Sequence, residues 1–78
     1  YKRQKLEVDA VANVGGRDVL VEVKLGYTPE VIEHAADTLK RFAGHLDDDP
    51  ALVVITSGGP ALRRNDGVAV IPIGALGP

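Results

Sequence analysis

Apolar and polar positions alternate along two neighbouring stretches of the chain, residues 6–14 and residues 18–25. Alternation with a period of two is typical of a half-buried β-strand. Gly15 and Gly16 lie between the two stretches, and a Gly-Gly pair suits the two-residue turn of a β-hairpin. The pattern therefore predicts an antiparallel hairpin with Val14 opposite Arg17.

In that register each face of the hairpin has one chemical character. Directly opposed residues share a face of the sheet, so Asp9 lies opposite Glu22 and Glu7 lies opposite Lys24 on a face that is charged at one end. Because a one-residue slip would move these charges to the apolar side, the segregation supports the register. The opposite face is wholly apolar and comprises Leu6, Val8, Ala10, Ala12, Val19, Val21, Val23 and Leu25.

Helical periodicity follows the hairpin and predicts one amphipathic helix over residues 29–46. Thr28 is expected to cap this helix and Pro29 to occupy its first position. His34 and His45 have no partner at metal-ligand spacing, so both are interpreted as helix-surface residues. We expect the helix to cover the apolar hairpin face. The inner face of the helix, which carries Ile32, Ala35, Leu39 and Phe42, should pack on four hairpin valines: Val8, Val19, Val21 and Val23.

Two further apolar runs, residues 51–56 and 68–73, complete the predicted elements. The first is rich in β-branched residues and should run parallel to strand 18–25 through a right-handed crossover. Pro72 places the second run at an edge or marks the end of its ladder. The fold class is therefore α/β: a mixed four-stranded sheet in the order 6–14, 18–25, 51–56, 68–73, with one main helix. The charged hairpin face should be covered by upstream sequence or by a partner.

Composition bounds the classes of protein to which the chain can belong. Its 78 residues, 45% of them apolar, allow a single domain with a thin core, and 1–78 is interpreted as one domain, whole or truncated. The chain has no cysteine and no apolar run of membrane-spanning length, so we expect a cytoplasmic protein without a membrane partner. A net charge of −2 argues against strong non-specific binding of nucleic acid by this chain unaided.

Basic residues gather at two places that are candidates for contact with a DNA backbone. One is the amino-terminal stretch with Lys2, Arg3 and Lys5, and the other is the pair Arg63 and Arg64. The alternatives are a solubilising tail and solvated loop residues.

The acidic end of the hairpin is the chain's candidate for chemistry. Two carboxylates about 5 Å apart repel each other by about 3 kcal/mol at an effective dielectric constant of 20. A divalent cation between Asp9 and Glu22 would offset that repulsion, and Mg²⁺ commonly takes one or two carboxylates and keeps several waters. The alternative is a solvated strand face stabilised by a cross-strand Glu7–Lys24 ion pair.

The chain resembles the PD-(D/E)xK nuclease superfamily, which has the restriction-endonuclease-like fold. The resemblance rests on Asp9, on Glu22-Val23-Lys24 in the next strand, and on the helix and buried strand that follow. The resemblance covers roughly residues 6–73. The segments LEVDAV, VEVKLG, VVITSGG and RRNDGVAVIPIGALGP look more closely like the C-terminal nuclease-like domain of certain bacterial and archaeal AAA-type ATPases. The chain departs from the family pattern in two ways: the first core helix is missing, and the helix after Lys24 lacks the Gln of RecB-like members.

The resemblance implies a Mg²⁺- or Mn²⁺-dependent endonuclease. Asp9, Glu22 and the Val23 carbonyl would ligate the metal, and Lys24 would position the attacking water and stabilise charge on the phosphate. The implied partners are DNA and an ATPase module in the same parent chain. Two alternatives stay open: a catalytically inactive nuclease-fold module that binds DNA, and one that makes the ATPase a homo-oligomer.

Overall fold

The structure is a computed structural model that describes residues 1–3 and 6–76. These residues form a two-stranded sheet, a five-stranded sheet and one α-helix, followed by a 3-10 turn at Ile73–Leu76. In chain order the elements are β1 (Lys2–Arg3), β2 (Leu6–Glu7), β3 (Ala10–Val14), β4 (Arg17–Lys24), α1 (Pro29–Ala43), β5 (Ala51–Thr56), β6 (Leu62–Arg63) and β7 (Ala69–Pro72).

The β3–β4 hairpin has the predicted turn and register. Gly15 and Gly16 both adopt positive φ, 61° and 87°, as a two-residue turn of the I′ type requires. Val14 pairs with Arg17, and Ala10 pairs with Val21. The hairpin prediction is confirmed over this span.

The predicted strand 6–14 is broken at Val8 and Asp9, which is a correction to the sequence analysis. Val8 is 1% exposed and belongs to the core. On the amino-terminal side of this break, β2 folds back on β1, so Glu7 pairs with Lys2 and not with Lys24. The expected Glu7–Lys24 cross-strand pair is therefore wrong.

The five-stranded sheet has the order β3-β4-β5-β7-β6, in which β4, β5 and β7 are parallel. The predicted order of four strands is present within it. The fifth strand, β6, was not predicted, because two residues are too few to show a period. It pairs with Val70 and Ala69, so β7 is an interior strand and Pro72 lies beyond that pairing, at the end of β7.

Helix α1 begins and ends close to the predicted bounds. The Thr28 hydroxyl accepts a hydrogen bond from the Val31 N–H at 3.3 Å, and Pro29 occupies the first turn. The helix ends at Ala43, three residues earlier than predicted, where the Gly44 N–H bonds to the Lys40 carbonyl. Leu46 lies beyond the helix and still packs against the core.

The helix covers the opposite face of the sheet from the predicted one. Leu20 is fully buried with Leu39 and Phe42, whereas Val21 is only half-buried and Val23 is exposed. Neighbouring residues of a strand point to opposite faces, so helix α1 lies on the face that carries Leu20 and Glu22. The predicted packing on Val19, Val21 and Val23 is wrong, because the larger Leu20 fills the centre of the covered face and the charged residues of β4 lie toward the two ends of that face. The covered core comprises Val8, Leu20, Ala35, Ala36, Leu39, Phe42, Val54, Val68 and Val70.

The second face of the five-stranded sheet, which we call the open face, is apolar and carries no helix among the described residues. Its side chains are half-buried or exposed, although parallel sheets are ordinarily covered on both faces. We define the open face by Val19, Val21, Val23, Val53, Ile55 and Ile71. In the part of the chain that the structure describes, no helix combines the length and apolar character that crossing a membrane requires.

Candidate functional site

The break between β2 and β3 brings Asp9 and Glu22 into one corner of the sheet. The Asp9 N–H lies 3.1 Å from the Val21 carbonyl oxygen and 3.1 Å from Glu22 Oε1. In return the Val23 N–H donates to Asp9 Oδ2 at 2.8 Å. The two acidic residues are therefore side by side, as the hairpin register predicts, and the Asp9 carboxylate accepts the hydrogen bond where the ladder stops.

Glu22 is a charged residue on the covered face, and its exposed fraction is only 6%. Burial raises the pKa of its carboxyl, and the nearby Asp9 carboxylate raises it further. Lys24 opposes this rise, with its Nζ 3.6 Å from Glu22 Oε2. An additional positive charge at this corner would therefore stabilise the ionised form of Glu22.

Lys24 lies where strand β4 ends and helix α1 approaches. It lines a surface depression of about 260 Å³ together with Glu30, Val31 and His34. Glu30 and His34 were not among the predicted site residues. Their spacing of four residues at the start of a helix that closely follows Lys24 was the available signal, because it places both on one helix face.

The Val23 carbonyl faces the same side of strand β4 as Asp9. The Val21 carbonyl accepts a bond from the Asp9 N–H, and backbone groups two residues apart along a strand point the same way. This orientation agrees with the Val23 N–H, which bonds to Asp9.

The donor set at this corner fits a hard cation that keeps much of its water. Among residues 1–3 and 6–76, no group of three or more His, Cys, Asp or Glu side chains is placed to hold a metal. Two carboxylates and one backbone carbonyl are oxygen donors of the kind that Mg²⁺ and Mn²⁺ accept, with waters completing the shell. These oxygen donors differ from the nitrogen and sulfur ligands that are usual in structural zinc sites.

The described candidate DNA-contact residues lie in two elements, strand β1 and the β6–β7 hairpin. Lys2 lies in β1 opposite Glu7, Arg3 is its strand neighbour, and Lys5 lies outside the described residues. Arg63 donates to the Gly67 carbonyl at 3.2 Å within the β6–β7 hairpin. Their proposed role at a phosphate backbone stays a prediction.

Arg64 is held in an ion-pair network that joins the β6–β7 connection to helix α1. Its Nη2 lies 2.7 Å from Glu33 and 3.1 Å from Asp66, and Lys40 also bonds to Asp66 at 2.9 Å. Although burial raises the pKa of Asp66, hydrogen bonds from Lys40, the Val68 N–H and Arg64 together lower it to about 2. The Glu33 and Asp66 carboxylates therefore balance the positive charges of Arg64 and Lys40 in this arrangement.

Comparison with known proteins assigns the chain to a family without assigning it a function. No curated protein and no solved structure matches the chain. A family model described as "Domain of unknown function (DUF4143)" matches residues 1–76, nearly the whole chain. The chain therefore belongs to the DUF4143 family.

Proposed function

We propose that this chain is a divalent-metal-dependent nuclease-like domain that hydrolyses phosphodiester bonds in DNA. The observation that carries the proposal is the buried Glu22 carboxylate beside Asp9, with Lys24 on the same strand and face. A restriction-endonuclease-like fold is part of the proposal. It is supported by the hairpin, the parallel crossover through α1 and the break of the first strand at the acidic residue.

In the proposed site each residue has a separate task. Asp9, Glu22 and the Val23 carbonyl would hold Mg²⁺ or Mn²⁺ and so relieve the repulsion between the two carboxylates. The ion would polarise a phosphoryl oxygen and acidify a bound water. The Lys24 ammonium would stabilise negative charge on the phosphate and orient the attacking water. The Val23 N–H fixes the Asp9 carboxylate in place, which preorganises the corner before any ligand binds.

The experiment is a calorimetric titration of Mg²⁺ and Mn²⁺ into the parent and four variants, combined with a cleavage assay on linear, single-stranded and branched DNA. Asp9→Asn and Glu22→Gln each remove a ligand charge and keep the shape, so both should weaken metal binding by about tenfold or more. Lys24→Ala should keep metal binding and lose cleavage. Glu7→Gln is the matched control, because Glu7 pairs with Lys2 outside the corner.

The variants separate the proposed site from a purely structural charged face. On a structural face, Asp9→Asn and Glu22→Gln would be neutral or stabilising because they relieve repulsion, and metal would not bind. Parent protein that neither binds metal nor cleaves any of the DNA substrates would refute the enzyme proposal for this chain.

A second candidate function is a non-catalytic module that docks or oligomerises an ATPase in the parent chain. The open face favours it, since a contiguous apolar surface on a sheet commonly marks an interaction site. The test is sedimentation of the parent and of a Val21→Glu variant over a range of concentrations. Self-association that Val21→Glu abolishes would support the docking role, and a monomer at all concentrations would contradict self-association.

A further inference from the structure

A cavity lies on the other side of helix α1 from the Lys24 depression. Its volume is about 360 Å³, and it is lined by Tyr27, Pro29, Ile32, Pro60, Leu62 and Val70, with Glu33 and Arg64 as polar members. Successive helix residues rotate by about 100°, so Pro29, Ile32 and Glu33 lie on the side opposite Glu30, Val31 and His34. The amino-terminal turns of α1 therefore separate the cavity from the Lys24 depression by about one helix diameter, roughly 10 Å.

The Tyr27 ring forms an aromatic wall that the neighbouring backbone holds in place. A Cβ atom built on Gly59 would lie 2.8 Å from ring atom Cδ2, and one on Gly58 would lie 3.0 Å from Cε1. At position 59 only glycine allows so close an approach, and Gly59 also has a φ of +86°, whereas a side chain at position 58 would require the ring to shift slightly. The ring thus rests on Gly58-Gly59, yet Tyr27 stays 52% exposed and lines the cavity.

The polar groups of the cavity favour a neutral, planar ligand over a phosphate. Arg64 is already paired with Glu33 and Asp66, so an additional anion gains little from its charge. Arg64 Nε and Nη2 donate to Asp66 and Glu33, so the groups that these two bonds leave for a ligand are the Nη1 donors and the second Glu33 oxygen. A nucleobase presents both donors and acceptors on its edge and an aromatic face for stacking on tyrosine.

The cavity and the acidic corner share one edge of the sheet. Tyr27 follows the end of strand β4, and Gly58 and Pro60 follow the end of the parallel strand β5. In open α/β sheets, ligands bind at the carboxyl ends of parallel strands. A DNA strand with one phosphate beside Lys24 would therefore bring a neighbouring nucleotide to the cavity.

We propose that this cavity binds one nucleobase of single-stranded or frayed DNA, stacked on Tyr27 and read at its edge by Glu33 and Arg64. The proposal rests on the proposed DNA function and names the part of the substrate that is recognised. It predicts that substrates with unpaired bases bind more tightly than fully paired duplexes, because a paired base is not free to enter.

The test uses the fluorescence of the chain itself. The protein has two tyrosines and no tryptophan, so Tyr1→Phe leaves Tyr27 as the only strong intrinsic emitter. The Tyr1→Phe variant is titrated, in buffer that contains EDTA to remove divalent metal, with a short single-stranded oligonucleotide. A second titration uses an abasic strand of the same length and charge. The base-bearing strand should quench Tyr27 and bind roughly tenfold or more tightly than the abasic strand.

Two variants in the parent background localise the effect. Tyr27→Ala should lose the preference for the base-bearing strand, and Tyr27→Phe should keep it, both measured by anisotropy of labelled strands. Circular dichroism establishes that each variant is folded. Leu25→Ala is the control, since Leu25 is an exposed apolar residue of the same connection but does not line the cavity.

The outcomes separate this proposal from the nuclease proposal. Because the titration contains no metal, quenching that persists in Glu22→Gln supports the base site even if no cleavage is ever found. Equal binding of the base-bearing and abasic strands would overturn the base site and leave the metal corner untouched. If the base-bearing strand does not quench Tyr27 and Tyr27→Ala changes self-association, the cavity is a protein contact. That result would also overturn the base site.

Discussion

Replacing Leu20 by alanine tests the position of helix α1 most directly. Leu20 is 0% exposed and packs in the core with Leu39 and Phe42. The substitution removes three carbon atoms, about 2.4 kcal/mol of transfer free energy at about 0.8 kcal/mol for each buried methylene. The unfilled cavity adds to this loss, so we expect a total of about 3–5 kcal/mol.

That cost is a large part of the domain's free energy of unfolding. A chain of 78 residues has a free energy of unfolding of roughly 4–12 kcal/mol, at about 0.05–0.15 kcal/mol per residue. For a domain of this size, each kcal/mol lowers Tm by about 4–8 °C. We therefore expect Leu20→Ala to lower Tm by at least about 12 °C, measured by circular dichroism together with urea unfolding.

Two control variants make the result specific to one face. Leu25→Ala is the same chemical change at a residue that is 89% exposed, and it should alter the free energy of unfolding by no more than about 0.5 kcal/mol. Val21→Ala changes the next residue of β4, on the open face, and should cost about 1 kcal/mol. If Val21→Ala were more destabilising than Leu20→Ala, the helix would lie on the other face and our assignment would be refuted.

Three further predictions concern single groups. Asp66→Asn should lower the free energy of unfolding by about 1–2 kcal/mol at neutral pH, after discounting for solvent screening. Because the pKa of Asp66 is lowered in the folded protein, this difference from the parent should vanish as the pH falls from about 4 to about 2, measured by urea unfolding. Because the pKa of Glu22 is raised in the folded protein, the metal-free parent should lose stability relative to Glu22→Gln as the pH rises above 4.5, and parallel pH profiles of the two proteins would contradict the buried carboxylate. Thr28→Ala removes the hydroxyl that caps α1 and should cost about 1 kcal/mol, whereas an unchanged urea midpoint would show that the cap contributes nothing.

The hairpin and the juxtaposed carboxylates were accessible from sequence because local rules specify them. The Gly15-Gly16 turn sets the register as far as the Ala10–Val21 pair, and Asp9, the next residue beyond that pair, lies beside Glu22. The capped start of α1 was equally local, since Thr28 and Pro29 act within one turn. The parallel pairing of β4 with β5 followed from the crossover rule for a strand–helix–strand unit.

The position of the helix was not accessible, because it depends on contacts that are distant in sequence. Both hairpin faces offer apolar residues to α1, and the purely apolar face was the better choice by pattern alone. The structure places Leu20 with Val54 of β5 in the core, so neighbouring strands decide which face is central. The fold-back of β2 on β1 was missed for a similar reason, since alternation continues through Val8 although the strand does not.

The open face also affects how a measured free energy of unfolding of this domain is interpreted. Apolar side chains on one side of the central parallel strands keep part of their contact with water. Any molecule that covers them binds the folded chain in preference to the unfolded one and raises the apparent free energy of unfolding by mass action. For a partner that covers this face, the apparent free energy of unfolding would rise with the concentration of that partner, so Tm values would be comparable only at matched concentrations.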